Sequence, residues 1–211
     1  MTGSLDKLLS ISSGSLIDCA PTRRIPLIER AGILGQELWS LLTRRNGLYA
    51  FESALRIFPI GAAEGVMDLE RWNSHDLWRS RYDELAVGCL FFAEDAFGGQ
   101  FCVRDDKIFS FDPETGQVKE MATSLAQWAD RLLSRYDVLT GFPLAHDWQQ
   151  RHGPLPANCR LVPTIPFVLG GQYSLDNLHA LDAVEGMRLR GDITRQIRDL
   201  PDGAKVKLTV K

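Results

Sequence analysis

Residues 87–118 read Val87-Gly-Cys-Leu-Phe-Phe-Ala-Glu-Asp-Ala-Phe-Gly-Gly-Gln-Phe-Cys-Val-Arg104, then Asp105-Asp106, then Lys107-Ile-Phe-Ser-Phe-Asp-Pro-Glu-Thr-Gly-Gln-Val118. Val87 to Ala93 is a continuous apolar run bounded by glycine and acid, the pattern of a central strand covered on both faces. Gln100–Arg104 and Lys107–Phe111 alternate around Asp105-Asp106, which predicts a hairpin. Asp112-Pro113-Glu114-Thr115-Gly116 predicts a second turn, with proline presetting φ and glycine accepting a positive one. Val118–Ala122 is the return strand. Ser124 to Gln127 has capping-box spacing, and Leu125, Trp128, Ala129, Leu132, Leu133 and Tyr136 share one helical face. The stretch therefore predicts an α+β fold: a mainly antiparallel sheet, with a four-strand meander over residues 87–122, and packing helices.

Working outward, Ile33–Leu42 repeats at helical spacing and stops at Asn46-Gly47. Leu48–Phe58 predicts a short strand, a turn at Glu52-Ser53-Ala54 and a second strand at Leu55–Phe58. Asp68–Arg81 predicts one or two short helices, with Asn73 or Ser74 capping the second. Prolines 143, 154, 156, 163 and 166 predict a region broken into short pieces, with edge strands at Leu161-Val162 and Ile165–Leu169 and a turn at Gly170-Gly171. Asn177–Leu181 predicts another strand. Asp182 with Glu185 opens a helix that Gly186 and Gly191 weaken by up to about 1 kcal/mol each relative to alanine, and Lys205–Val210 alternates like a strand. The expected organisation is an N-terminal segment (1–26), either a loose arm or a clamp, a core (27–142), and a C-terminal extension (143–211) packed on the same domain.

At 211 residues, with 45% apolar and 24% charged side chains, the chain reads as one soluble globular domain. Its net charge of −3 argues against nucleic acid. Charge is uneven: Arg188–Lys211 holds seven Lys/Arg against three Asp/Glu, a net of +4, which leaves −7 for residues 1–187. A solvated helix and basic strand account for that tail, a weak surface for an acidic partner being the alternative. Cys19, Cys89, Cys102 and Cys159 fit no C-x-x-C or zinc spacing. Asp6 and Lys7 argue against a signal peptide, and no run approaches the roughly 20 apolar residues of a membrane span. A cytoplasmic protein with no membrane partner is expected.

No phosphate loop, dinucleotide fingerprint, nucleophile elbow or zinc-protease motif occurs. His146 and His152 lack metal-ligand spacing, so no metal and no cofactor is expected. The candidate site is the acidic, glycine-rich loop Glu94, Asp95, Phe97, Gly98 and Gly99. Its acids can accept backbone hydrogen bonds, bind a partner, or act as a general base. Adjacent strand residues point to opposite faces, which makes paired acid–base work by Glu94 and Asp95 awkward. Trp72 is added as a tryptophan available to a partner.

Phe92-Ala93-Glu94-Asp95-Ala96-Phe97-Gly98-Gly99-Gln100-Phe101, Ile108-Phe109-Ser110-Phe111-Asp112-Pro113-Glu114-Thr115-Gly116 and Ser124-Leu125-Ala126-Gln127-Trp128 together resemble the SUKH superfamily, the bacterial relatives of the yeast Smi–Knr cell-wall assembly regulator. About fifty residues carry the resemblance. Gly98 and Gly99 match the family's loop glycines. The resemblance implies an α+β, non-enzymatic protein-binding module. The leading expectation is an immunity protein that neutralises a secreted or contact-dependent bacterial toxin by covering its active site. A scaffold or regulator of envelope or secretion-system assembly is the alternative. A third expectation, independent of the resemblance, is a hydrolase using Glu94, Asp95 or His146.

Overall fold

The computed structural model describes residues 3–201, 203 and 204. The strand predicted at Lys205–Val210 lies outside the described residues. Helices α1 (Ser4–Ser10), α2 (Pro26–Arg30) and α3 (Gly32–Arg44) precede a hairpin of β1 (Leu48–Ala50) and β2 (Leu55–Ile57). Next come α4 (Leu69–Trp72), two 3₁₀ turns, and the strands β3 (Leu90–Asp95), β4 (Gln100–Arg104), β5 (Lys107–Phe111) and β6 (Val118–Ala122). Three helices follow: α5 (Leu125–Ser134), α6 (Tyr136–Leu139) and α7 (Phe142–His152). The strands β7 (Cys159–Pro163) and β8 (Leu178–Asp182) and helix α8 (Ala183–Ile197) complete the described elements.

The α+β class holds, but the sheet is larger than the sequence predicts. It has six antiparallel strands in the order β1-β2-β3-β4-β5-β6, because β2 pairs with β3 through Leu55–Asp95, Arg56–Glu94 and Ile57–Ala93. Such pairing joins segments more than thirty residues apart and leaves no mark in either one. The Asp105-Asp106 turn has both residues at positive φ (47° and 55°), the backbone whose twist matches a tight hairpin.

The apolar run of β3 feeds both faces of the sheet. Strand alternation sends the consecutive Phe91 and Phe92 to opposite sides, beside a register shift between Phe91 and Ala93. Phe91 packs on Trp78 and Phe111, with ring centroids 5.0 and 5.3 Å away, while Phe92 meets Trp128 of α5 at 5.0 Å. The predicted helical face on α5 buries Leu125, Trp128, Ala129 and Leu132. Ser124 caps the helix by accepting from the Gln127 N–H at 3.1 Å. The N-terminal segment is part of this assembly: Leu8 and Leu9 of α1 lie in the main core.

Three local expectations are corrected. Pro143 does not break the chain; it sits in the first turn of the eleven-residue α7, where its missing N–H costs nothing. Residues 167–169 form a 3₁₀ turn, not a strand. Asn73 caps no second helix; it is buried and bridges to β3, its Nδ2 donating to Phe91 O at 2.8 Å and its Oδ1 accepting from Phe91 N at 2.9 Å.

Helix α8 lies against the first of the two 3₁₀ turns, Arg79–Arg81, and its glycines are there for proximity. A Cβ on Gly191 would come within 2.6 Å of Arg81 Cβ and 3.0 Å of Tyr82 Cε2. Helix propensity alone predicts that Gly191→Ala stabilises the protein. We expect instead a loss of about 1–3 kcal/mol from overpacking, measured as a lowered urea midpoint; an unchanged or raised midpoint would refute the close contact.

Candidate functional site

Glu94 and Asp95 are neighbours on β3 and do point apart. Glu94 has no solvent exposure. It stands in register between Arg56 on β2 and Gln100 on β4. Its Oε1 lies 2.8 Å from Arg160 Nη2 of β7 and 3.6 Å from Arg56 Nη1. These are charge contacts without aligned hydrogen bonds. Its Oε2 accepts from Gln100 Nε2 at 3.3 Å, and Gln100 Oε1 accepts from the indole N–H of Trp72 at 2.8 Å. Both guanidiniums also lie 5.7 Å from the ring of Tyr49. Burial lowers the pKa of Arg56, opposed chiefly by the charge of Glu94.

Two site expectations are therefore corrected. Trp72 is fully buried, stacked on Phe58 with centroids 4.8 Å apart, and offers nothing to a partner. Glu94 is an internal counter-ion, not a loop ligand. The reason is shared: both belong to one buried polar chain that ties α4, β2, β3, β4 and β7 together. Gly98 is also internal, at φ +75°, where a Cβ would lie 2.5 Å from Arg190 Nη2.

Asp95, Phe97 and Gly99 sit elsewhere. Asp95 Oδ1 accepts from the N–H groups of Phe97 and Gly99, each at 2.8 Å, which closes the loop. These residues form one wall of a cleft of about 540 Å³. The turn Asp112–Thr115, the end of α6, the 3₁₀ turn Phe167–Leu169 with Tyr173, and Arg190 of α8 complete it. Phe167 and Tyr173 stack with centroids 3.8 Å apart, and Phe97 meets each edge-on. Arg190 is buried, with Nε donating to Gly186 O at 2.9 Å and Nη1 donating to Phe97 O.

Burial pushes the Asp95 carboxyl up to about 7, against the pull of its two backbone N–H bonds and of Arg190 and Arg160. Glu114 is 5% exposed. It is raised for the same reason, partly offset by the Val168 N–H that its Oε2 accepts at 2.8 Å. Glu114, Phe167, Tyr173 and Arg190 escaped the sequence reading. One signal was present: Arg190 falls three residues after Met187 and three before Ile193, a charge among core-facing helical positions. His146 is not in the cleft; it pairs with Glu52 at 2.7 Å on the surface, which raises its pKa.

The exposed arginines of α8 and its C-terminal cap each have a partner within the chain. Arg188 donates to Leu77 O, Arg195 meets Asp192, and Arg198 meets Glu84. Among the described residues no group of three or more His, Cys, Asp or Glu could hold a metal ion, and no helix is long and apolar enough to cross a membrane.

No protein-family model matches the chain, and no curated protein matches it. Among solved structures it is similar to Atu4351 from Agrobacterium tumefaciens, at 14% identity and a TM-score of 0.49, over 82% of this chain and 84% of that one.

Two measurements test this site. Glu94→Gln removes the one anion between two buried guanidiniums and should cost about 3–5 kcal/mol in urea unfolding; a loss under about 1 kcal/mol would mean that water already solvates the pair. For Asp95, a carboxyl that holds its proton more tightly folded (about 7) than unfolded (3.8) is one whose ionisation opposes folding. Its contribution to stability therefore falls as pH rises from about 4 to about 7 and is level above that. Asp95→Asn keeps an Oδ1 acceptor, so its stability relative to the parent should climb over that window and then plateau. A difference independent of pH would rule out the raised pKa.

Proposed function

We propose that this chain is a SUKH-type protein-binding module that acts as the antidote to a bacterial toxin by occlusion, with the cleft and its rim as the docking face. The observation that carries the reading is the rim. Val138, Val168 and Tyr173 are 64%, 40% and 70% exposed and border one cleft. Apolar side chains gathered around a concave site are what a partner covers. Beneath them, strand ends and the Asp95 loop supply a wall tied into the sheet, so little ordering is needed on binding. The net charge of −7 over residues 1–187 suits long-range attraction to toxins with basic, nucleic-acid-cutting clefts, and acts on association rate more than affinity. A scaffold in envelope or secretion-system assembly would use the same face and differ in the partner captured.

One observation favours an enzyme instead: a carboxyl titrating near neutrality inside a cleft is what a general base requires. Stoichiometry separates the two readings. Pull-down from the native strain, followed by titration of the captured toxin's activity, should show a linear loss ending at one equivalent. Val168→Asp and Tyr173→Ala should abolish it while leaving the melting temperature within about 2 °C, as expected for exposed positions. Inactivation far below one equivalent would replace occlusion by catalysis. Capture of an assembly component, or of nothing, together with no protection on toxin co-expression, would reject the antidote.

A further inference from the structure

The cleft pairs aromatic walls with an excess of negative charge. Asp95, Asp112 and Glu114 line it against the single cation Arg190, and the guanidinium of Arg190 already donates to the carbonyls of Phe97 and Gly186. Glu114 has one oxygen in use, Oε2 on the Val168 N–H, while Oε1 has no hydrogen-bond partner. Both backbone bonds to Asp95 use Oδ1. A buried carboxylate oxygen without a donor is costly, and an apolar occupant would leave it so. An anion would meet three carboxyl groups, whose ionised form a bound cation favours. A cation with N–H donors satisfies the oxygen and the charge together.

The walls choose among cations. Phe167 and Tyr173 stack on one another, parallel to within 8°, which leaves each ring only its outer face, and Tyr173 is largely exposed. A planar guanidinium stacks on such a face and still donates in its own plane to a carboxylate; a compact, strongly hydrated ammonium does this less well. About 540 Å³ is within the range of sites that enclose one small group.

We propose that the cleft is the receptor for a single arginine side chain presented by the partner protein, held with its guanidinium against the exposed Tyr173 ring and its donors on Glu114 and Asp95. This rests on the docking face proposed above and names the chemistry that enters it. It gives the acidic surplus of the chain a point of delivery, and it explains why Glu114, a turn residue, is folded inward under the 3₁₀ turn instead of facing water.

The test is an NMR titration of the full chain with acetyl-arginine amide and, separately, with acetyl-citrulline amide, the neutral isostere. Arginine should give saturable shifts at the amides of Phe97, Gly99, Thr115 and Val168, and citrulline should bind about tenfold more weakly, the loss of one charge-assisted contact. Glu114→Gln, which keeps an acceptor for the Val168 N–H, and Tyr173→Ala, at an exposed turn, should each weaken arginine binding several-fold. Equal binding of citrulline, no saturable shift up to about 100 mM, or arginine binding untouched by both variants would overturn the assignment. The docking face is judged separately. If arginine fails while one-to-one toxin neutralisation stands, the face survives without this occupant. If arginine binds but no toxin is neutralised, its source in a partner protein is overturned.

Discussion

A single carboxylate organises this molecule. Glu94 is held between Arg56 and Arg160 with no access to water, in a position reached from three strands of the main sheet and one of the small sheet. The cost of burying these charges is recovered only when all three are in place, so the two sheets cannot dock in another register without stranding an ion. The same carboxylate reaches Trp72 through Gln100 and so fixes the short helix before β3. The polar chain specifies geometry where apolar packing alone would tolerate slippage.

The cleft follows from that constraint. Once Glu94 is committed inward, strand alternation sends Asp95 the other way, to the loop that Phe97 and Gly99 close. Docking of β7 through the Leu161 N–H to Ala96 O brings the C-terminal region over this loop. The region then delivers Phe167, Val168 and Tyr173 to the cleft mouth, and α8 delivers Arg190 to its base. The cleft is thus built jointly by the meander and the C-terminal third, with Asp95, Asp112 and Glu114 as its acids.

Much of the fold was legible. The alternating strands after Gly99, the paired aspartates of the hairpin, the Asp-Pro-x-x-Gly turn, the serine cap of α5 and the aspartate cap of α8 each act within a few residues, and each appears where the pattern predicts. The failures have a common form. Trp72 and Glu94 belong to residue types that frequent binding surfaces, and nothing adjacent to them reveals that Gln100 or Arg160 will meet them indoors. The glycines of α8 weaken a helix in isolation, yet one of them admits Arg81 and Tyr82 at a distance no side chain would permit.

The sequence by itself determined the strands and turns of the antiparallel meander, the capped starts of α5 and α8, the α+β class, and that the loop after β3 is special. Those properties depend on backbone preferences and periodicity, which act over one or two turns. Only the tertiary structure decided which acid of the Glu94–Asp95 pair is internal and which faces a cleft, and that Glu114, Phe167, Tyr173 and Arg190 share that cleft. Burial and charge pairing act through space between residues up to about a hundred positions apart, and no local pattern encodes them.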